Sequence, residues 1–186
     1  MAAIITEKFR LHNASQFVES FSETAANVYY LFLGKSSPFS SATSGGSDSS
    51  PPTPPDAVGQ TEYYCWDSML GAKKITSSDI TRAVVRRNFA NGSTFDMYEH
   101  NISSDNTTTS GASNLYDSTF YFLTSDNRVY KVLDNNGGTA YSGSEPTSES
   151  TSPFALGGYV LKYMYTISSS DAAKFLTTDF MPVSTD

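Results

Sequence analysis

The stretch TFYFLTSDNRVYKVLDNNGG, residues 119–138, decides the fold class of this chain. Aromatic and β-branched residues fill two short runs, and the polar residues TSDN lie between them. Such side chains fit the pleated, half-buried surface of a sheet, and two runs joined in this way indicate a β-hairpin. The NNGG that follows predicts another turn, because Asn and Gly tolerate positive φ. The stretch therefore predicts an antiparallel sheet, and it contains no recognisable catalytic motif.

The composition of the whole chain agrees with a sheet protein. Its 186 residues include 12 Tyr and 12 Phe, whereas only 17% of the residues are charged. A chain of this length corresponds to about one domain. We therefore predict a single structural domain, residues 1–186, of the mainly β (α+β) class, in which antiparallel sheets pack as a sandwich with two or three short helices.

The net charge and the N-terminal sequence limit the partners and the locations that we expect for this protein. The net charge is −7, whereas a general nucleic-acid binder needs a basic surface, so we expect no nucleic-acid partner. The N-terminus lacks the apolar core of a signal peptide, and no segment approaches the length of a membrane span. We expect no membrane insertion, and a protein that is made and used without crossing a secretory membrane.

Three segments are predicted to be helical. Residues 12–23 begin with Asn13 as an N-cap, followed by a capping-box partner three residues later. Residues 60–76 have a helical centre that we expect to stop at Gly71. Residues 168–176 carry an N-cap signal before a short helix.

Strands are predicted in several other places. Residues 27–35 form a near-continuous apolar run, which favours a strand covered on both faces. Further strands are predicted within residues 72–76, 77–89, 94–102 and 158–167.

Three long polar loops, residues 36–59, 103–114 and 135–158, connect these elements. Long structureless loops in a compact domain are usually functional or disordered. We interpret three of them in one small chain as surfaces that become ordered against neighbouring proteins.

Side chains suited to catalysis or metal binding are few. The two histidines are His12, beside a predicted helix cap, and His100, next to Glu99, and neither lies in a recognisable nucleophile motif. On a strand, Glu99 and His100 would point to opposite faces, which does not favour a metal site shared by the two. Phosphate-binding and dinucleotide-binding motifs are absent from the sequence. We predict a protein that is not an enzyme, with no catalytic residue, metal site, cofactor or small-molecule substrate.

The aromatic residues are also compatible with one other class of protein. Paired carboxylates, with the tyrosines and Trp66 as a stacking platform, are compatible with a carbohydrate-binding or glycan-hydrolysing module. The other explanation of the aromatic residues is packing within the sheets, since they occur in most of the predicted strands.

Three arginines, Arg82, Arg86 and Arg87, lie close together in the segment TRAVVRRNF. On a strand, Arg82 and Arg86 would share one face and Arg87 would take the other. Two interpretations remain open: salt bridges within the chain, or a contact between subunits, where Arg is enriched.

Several segments, in chain order, resemble the baseplate wedge protein of T4-like contractile-tailed phages, the subunit that forms dimers in each wedge. The N-terminal ITEKFR is similar to the opening strand of the family. The block PPDAVGQTEYYCWDSMLGAKKI, followed by AVVRRNF, resembles its Pro-rich lead-in, Trp- and Met-bearing helix ended by Gly, Lys-bearing strand and Arg-Arg pair. RVYKVLDNNGG and GYVLKYMYTI are similar to two further strands of the family.

The resemblance implies a structural protein of the phage tail baseplate, located in the virion and synthesised in the host cytoplasm. Its partners would be other baseplate and tail proteins, with a homodimer inside the larger assembly. The residues predicted to contact other subunits are Trp66, Arg86 and Arg87, although Trp66 fits a core position equally well. Another virion role, as a tail adaptor or fibre-attachment protein, is the alternative within the same class.

The chain also departs from the family pattern. Family members are usually longer, so we expect this chain to lack a C-terminal domain, beyond Val183, that longer relatives carry. It would then be either a shortened relative or a fragment. The loops 36–59 and 135–158 are also richer in Ser and Gly than the family pattern implies.

Overall fold

The structure is a computed structural model that describes residues 6–23, 25, 27–34, 38–40, 46–53 and 66–183. The chain divides into two compact units, Met1–Ile80 and Thr81–Asp186. The organisation of residues 1–186 as a single structural domain stays a prediction.

The first unit contains a helix and a two-stranded sheet. Helix α1 spans Glu7–Glu19, and strands β1, Tyr29–Gly34, and β2, Met69–Ile75, pair antiparallel. We call these two paired strands the β1–β2 ribbon. A short 3₁₀ helix, Ser77–Asp79, follows β2. The predicted strand at 27–35 is thereby confirmed.

Helix α1 begins earlier than the sequence indicated. Its N-cap is Thr6, whose side-chain oxygen accepts a hydrogen bond from the backbone N–H of Phe9 at 3.3 Å. The predicted cap, Asn13, lies inside the helix, because the chain is already helical from Glu7, where Thr6 satisfies one of the free N–H groups of the first turn. Since Glu7–Arg10 are helical, the similarity of ITEKFR to an opening strand does not predict the conformation of those residues.

The predicted helix at 60–76 is partly wrong. Residues 66–68 are helical, but β2 begins at Met69, so Gly71 lies inside a strand and does not end a helix. Pairing with β1 explains the difference, because Gly71 lies opposite Leu33 in the ladder. Residues 60–65 lie outside the described residues.

The second unit contains six strands and a helix within its described residues, 81–183. Strands β3 and β8 form one antiparallel pair, and the other four form an antiparallel sheet of order β4-β5-β7-β6. The strands are β3 Ala83–Val85, β4 Tyr121–Leu123, β5 Arg128–Asp134, β6 Phe154–Leu156, β7 Tyr159–Thr166 and β8 Phe180–Pro182. Helix α2 spans Ser169–Phe175 and is capped by Ser168. The predicted hairpin, the strand at 158–167 and the final helix are confirmed.

Each face of the four-stranded sheet carries a core. Neighbouring strand residues point to opposite faces, so Tyr130 and Val129 belong to different cores. One core contains Phe95, Phe122, Tyr130, Val132, Tyr141, Tyr159 and Leu161. In the other core, Val84 and Met181 of the β3–β8 pair and Leu176 after α2 pack against Leu123 and Val129. This packing of sheet on sheet confirms the predicted mainly β (α+β) sandwich class.

Two further predictions for this unit are wrong. Residues 94–102 contain no strand, because the segment is held instead by the side chain of Asp96. Its carboxylate accepts hydrogen bonds from residues 110–119. The predicted loop at 135–158 contains β6 and a 3₁₀ helix, Asn136–Gly138. Of the predicted loop at 36–59, only residues 38–40 and 46–53 are described.

Candidate subunit-interaction surface

The β1–β2 ribbon presents apolar side chains on both of its faces. Residues paired directly across an antiparallel ladder lie on the same face. The pairing register therefore places Tyr30, Phe32, Ala72 and Lys74 on one face, and Leu31, Leu33, Gly71 and Lys73 on the other.

These apolar side chains of β1 are open to solvent. The exposed fractions are 60% for Tyr30, 57% for Leu31, 45% for Phe32 and 68% for Leu33. The prediction that this strand is covered on both faces is therefore wrong. Apolar patches larger than a few hundred Å² are uncommon on monomeric proteins, and they mark interaction sites. The ribbon is thus the candidate interaction surface of the first unit.

A small aromatic cluster anchors the ribbon to α1. The ring of Tyr29 stacks on Phe21 at 4.5 Å between ring centroids and meets the edge of Phe17 at 5.3 Å. The Tyr29 hydroxyl also shares a 2.9 Å hydrogen bond with Ser20 Oγ. Because Phe21 is buried and Tyr30 is not, the anchor and the exposed part of the ribbon can be altered separately.

The end of β2 is fixed by Asp79. Lys73 Nζ lies 2.6 Å from Asp79 Oδ1, and the backbone N–H of Thr76 donates to Oδ2 at 3.0 Å. The hydrogen bond from Lys73, followed by those from Thr76, lowers the pKa of Asp79 to about 2. Lys74, on the opposite face, forms no ion pair with any residue that the structure describes. One face of the ribbon therefore carries a lysine that is paired with Asp79, and the other carries a lysine that is paired with no described residue.

Trp66 lies in the helical turn 66–68, immediately before β2. Its side chain is 63% exposed. Of the two positions left open by the sequence, core or surface, the structure places Trp66 at the surface. Its role in contacts between subunits stays a prediction.

Arg86 makes its hydrogen bonds within the second unit. Its Nε donates to Asn88 Oδ1 and its Nη1 to the carbonyl oxygen of Thr177, both at 2.8 Å. Its backbone N–H also donates to the carbonyl oxygen of Asp179 at 2.8 Å. Arg86 thus connects the end of β3 to the chain between α2 and β8.

Arg87 contacts a different segment. Its Nη2 donates to the carbonyl oxygens of Tyr116 and Asp117, each at 2.9 Å, and its guanidinium carbon lies 5.7 Å from the centre of the Tyr121 ring. Burial raises the pKa of Tyr121, although the charge of Arg87 opposes that shift. The described residues offer no hydrogen-bond acceptor to Arg87 Nε. Neither Arg86 nor Arg87 forms a salt bridge with a described carboxylate.

Among the described residues, neither histidine is part of a cluster of metal ligands. His12 lies on the exposed surface of α1, and His100 is exposed in an irregular segment. Within residues 66–183 and the shorter described segments, no group of three His, Cys, Asp or Glu is arranged to hold a metal ion. Among the helices that the structure describes, none has the length and apolar character that crossing a membrane requires.

These features define a β-rich protein with an exposed apolar ribbon. The family model described as Bacteriophage T4, Gp8 matches residues 3–144. The chain therefore belongs to this family, the baseplate wedge proteins of T4-like phages, and is a structural protein of the phage tail baseplate, a part of the virion. No curated protein matches the chain.

Proposed function

We propose that this chain holds neighbouring virion proteins together in the baseplate wedge through extended sheet and loop contacts. The observation that carries the proposal is the exposed β1–β2 ribbon, whose apolar side chains lie on both faces. A protein that works inside an assembly is expected to expose apolar surface as a single chain, because its partners cover that surface in the assembly.

The energetics of association favour this use of the ribbon. Full burial of one large apolar side chain contributes roughly 1.5–3 kcal/mol. Several such side chains offset much of the cost of association, which is roughly 4–15 kcal/mol. Trp and Tyr are also the residues that most often dominate interface energies. Trp66 and Tyr30 are therefore the residues of the first unit that we propose as anchors.

Within the same proposal, the chain is synthesised in the host cytoplasm and forms a homodimer inside the larger assembly. A dimer would bury the ribbon against a second copy, and other baseplate and tail proteins would cover the remaining surface. Sedimentation of the purified chain tests the dimer separately from assembly. A chain that remains monomeric at every concentration would contradict the dimer alone.

Replacing Tyr30 and Phe32 by Thr is expected to reduce incorporation of the chain into tail particles at least about tenfold, because an anchor residue contributes 2 kcal/mol or more. Thr retains strand propensity, so the melting temperature should change little. The measurement is complementation of a phage that lacks its own copy, with particles counted after purification.

Two variants serve as controls for this experiment. Met164→Thr removes another exposed apolar side chain from a strand, in the second unit, and should leave incorporation intact. Phe21→Ala removes part of the aromatic anchor and should lower the melting temperature. Full incorporation of the Tyr30/Phe32 variant would overturn the role of the ribbon. Imaging of the particles would separate a wedge position from an adaptor or fibre-attachment position.

We also propose that Arg86 and Arg87 contact a neighbouring subunit with those guanidinium N–H groups that donate to no described residue, apart from the buried Nε of Arg87. Replacing both by Ala is expected to abolish assembly without changing the melting temperature, because water can replace their partly exposed hydrogen bonds to carbonyl oxygens. Arg82→Ala, an exposed arginine of the same segment, is the matched control. A clearly lowered melting temperature of the double variant would show instead that both arginines serve the fold of their own chain.

A further inference from the structure

The chain contains two Asn-Gly sequences in exposed turns: Asn91 followed by Gly92, and Asn136 followed by Gly137. An Asn side chain can react with the backbone nitrogen of the residue that follows it, and Gly offers least steric hindrance to this attack. Both glycines have positive φ, and neither has another group close to where a Cβ would lie. The two sequences are therefore equivalent in local chemistry and in steric access.

At Asn91 both reacting groups are held by hydrogen bonds. The backbone N–H of Gly92 donates to the carbonyl oxygen of Tyr141 at 3.0 Å. The carboxamide oxygen of Asn91 accepts from the backbone N–H of Gly143 at 3.0 Å. Tyr141 is buried in the core of the second unit, so this turn is held against the core. Reaction at Asn91 must first break both hydrogen bonds.

At Asn136 neither reacting group is held in this way. The backbone N–H of Asn136 donates to Asp134 Oδ1, and its carbonyl oxygen accepts from Thr139 Oγ1. The carboxamide of Asn136 and the backbone N–H of Gly137 form no hydrogen bond with any other described residue. At Asn136, therefore, neither reacting group has to break a hydrogen bond with a described residue before the nitrogen attacks the carbon.

We propose that Asn136 is a site of spontaneous deamidation in the folded protein. We also propose that the hydrogen bonds of the Asn91–Gly92 turn protect Asn91 from the same reaction. The backbone nitrogen of Gly137 attacks Cγ of Asn136 and forms a new C–N bond. The side-chain nitrogen takes up the proton that the Gly137 nitrogen loses and leaves as ammonia, which gives a cyclic succinimide. Water then opens the ring at either carbonyl and produces aspartate or isoaspartate. One water is consumed and one ammonia released, with no change of oxidation state.

The modification would alter a turn of the second unit that the buried side chain of Asn135 holds in place. The adjacent Asn135 is buried, and its Nδ2 donates to the carbonyl oxygen of Phe95 at 3.0 Å and to Thr109 Oγ1 at 3.2 Å. Its Oδ1 accepts from the backbone N–H of Gly138 at 3.0 Å. Isoaspartate adds a methylene to the backbone inside this turn, and either product adds a negative charge beside Asp134. The hydrogen bonds of Asn135 should loosen as the protein ages.

The test compares the two sites in one sample. The purified full chain is incubated folded in mildly alkaline buffer, digested, and analysed by mass spectrometry that separates aspartate from isoaspartate. We expect deamidation at Asn136 to be at least about tenfold faster than at Asn91, because Asn91 must break two hydrogen bonds first. In the chain denatured with urea, the two rates should become similar.

Two variants remove the two deamidation sites one at a time. Asn136→Gln lengthens the side chain and disfavours ring closure, so most ammonia release should disappear while the slow rate at Asn91 stays unchanged. Asn91→Gln should leave the ammonia release almost intact. Equal rates at the two sites of the folded chain would overturn the proposal. A difference that persists in urea would also overturn it, because the hydrogen bonds would then not be its cause.

Discussion

Replacing Gly157 by Ala is expected to lower the free energy of unfolding by roughly 2–5 kcal/mol. Gly157 and Gly158 form the turn between β6 and β7, with φ values of +63° and +86°. A two-residue hairpin turn of this kind requires positive φ at both positions. A Cβ at Gly157 would also lie less than 3.0 Å from three atoms of the Tyr141 ring. Strain in the backbone and overlap with a buried ring therefore act together.

Tyr141 cannot move away from the added methyl group at low cost. Its side chain is 1% exposed, its hydroxyl donates to the carbonyl oxygen of Ser144 at 2.9 Å, and its ring packs edge-on against Phe89 at 5.2 Å. Displacing the ring would open space in the core of the four-stranded sheet. Denaturation by urea, followed by circular dichroism, measures the expected loss.

Gly92→Ala is the matched control for this prediction. Gly92 also has a positive φ, +83°, but nothing lies within 4 Å of where its Cβ would be. Its substitution should cost only the backbone strain, roughly 1–2 kcal/mol. If the two substitutions destabilise the protein equally, the contact with Tyr141 is not the cause of the larger loss.

The elements that the sequence predicted correctly have local signals. The hairpin of β4 and β5 is marked by aromatic and β-branched runs on either side of a turn, in which Asn127 adopts a positive φ of 61°. Helix α2 begins where Ser168 caps it, with Ser168 Oγ accepting from the backbone N–H of Asp171. These determinants lie within a few residues of each other, so they can be recognised without knowledge of tertiary contacts.

The exposure of the β1–β2 ribbon could have been inferred from its second strand. An apolar run such as that of β1 is equally compatible with a buried strand and with an interaction surface. Neighbouring strand residues point to opposite faces, so Lys73 and Lys74 place a charge on each face of the ribbon. Lysine is almost never fully buried unless it is paired. This pair of lysines was the signal that both faces reach solvent.

The irregular path of residues 94–102 could not be inferred in the same way. The segment has aromatic residues in a loose alternation, which favours a strand. Its conformation instead follows from Asp96, whose hydrogen-bond partners Ser110, Ser118 and Thr119 lie 14–23 residues further along the chain. Asp competes for backbone hydrogen bonds, but nothing local identifies the partners that it finds.

Replacing Asp96 by Ala is expected to lower the free energy of unfolding by roughly 3–5 kcal/mol, because buried and partly buried hydrogen bonds would lose their charged acceptor. Asp96 is fully buried. Its carboxylate accepts from the backbone N–H groups of Ser110 and Thr119, both at 2.8 Å, and from the hydroxyls of Ser110 at 2.7 Å and Ser118 at 3.1 Å. Asp105→Ala, an exposed acid in the same loop region, should change stability by no more than about 0.5 kcal/mol.

The same carboxylate should make stability depend on pH in acid. Burial by itself raises the pKa of Asp96, but the hydrogen bonds from Ser110 and Thr119 outweigh it and lower the pKa from 3.8 to about 2. A carboxyl whose pKa is lower in the folded state stabilises the protein above its unfolded pKa and loses that contribution as pH falls through the folded pKa. About 2 kcal/mol should therefore be lost between about pH 4 and pH 2.

Asp96→Asn isolates this contribution, because it keeps the shape of the side chain and removes its titration. Urea denaturation of both proteins across the acid range should show the wild type losing its advantage over the variant as pH falls towards 2. Other carboxylates, such as Asp79, titrate in both proteins and cancel in the comparison. A difference in unfolding free energy that stays constant over this range would contradict the assignment of the acid sensitivity to Asp96.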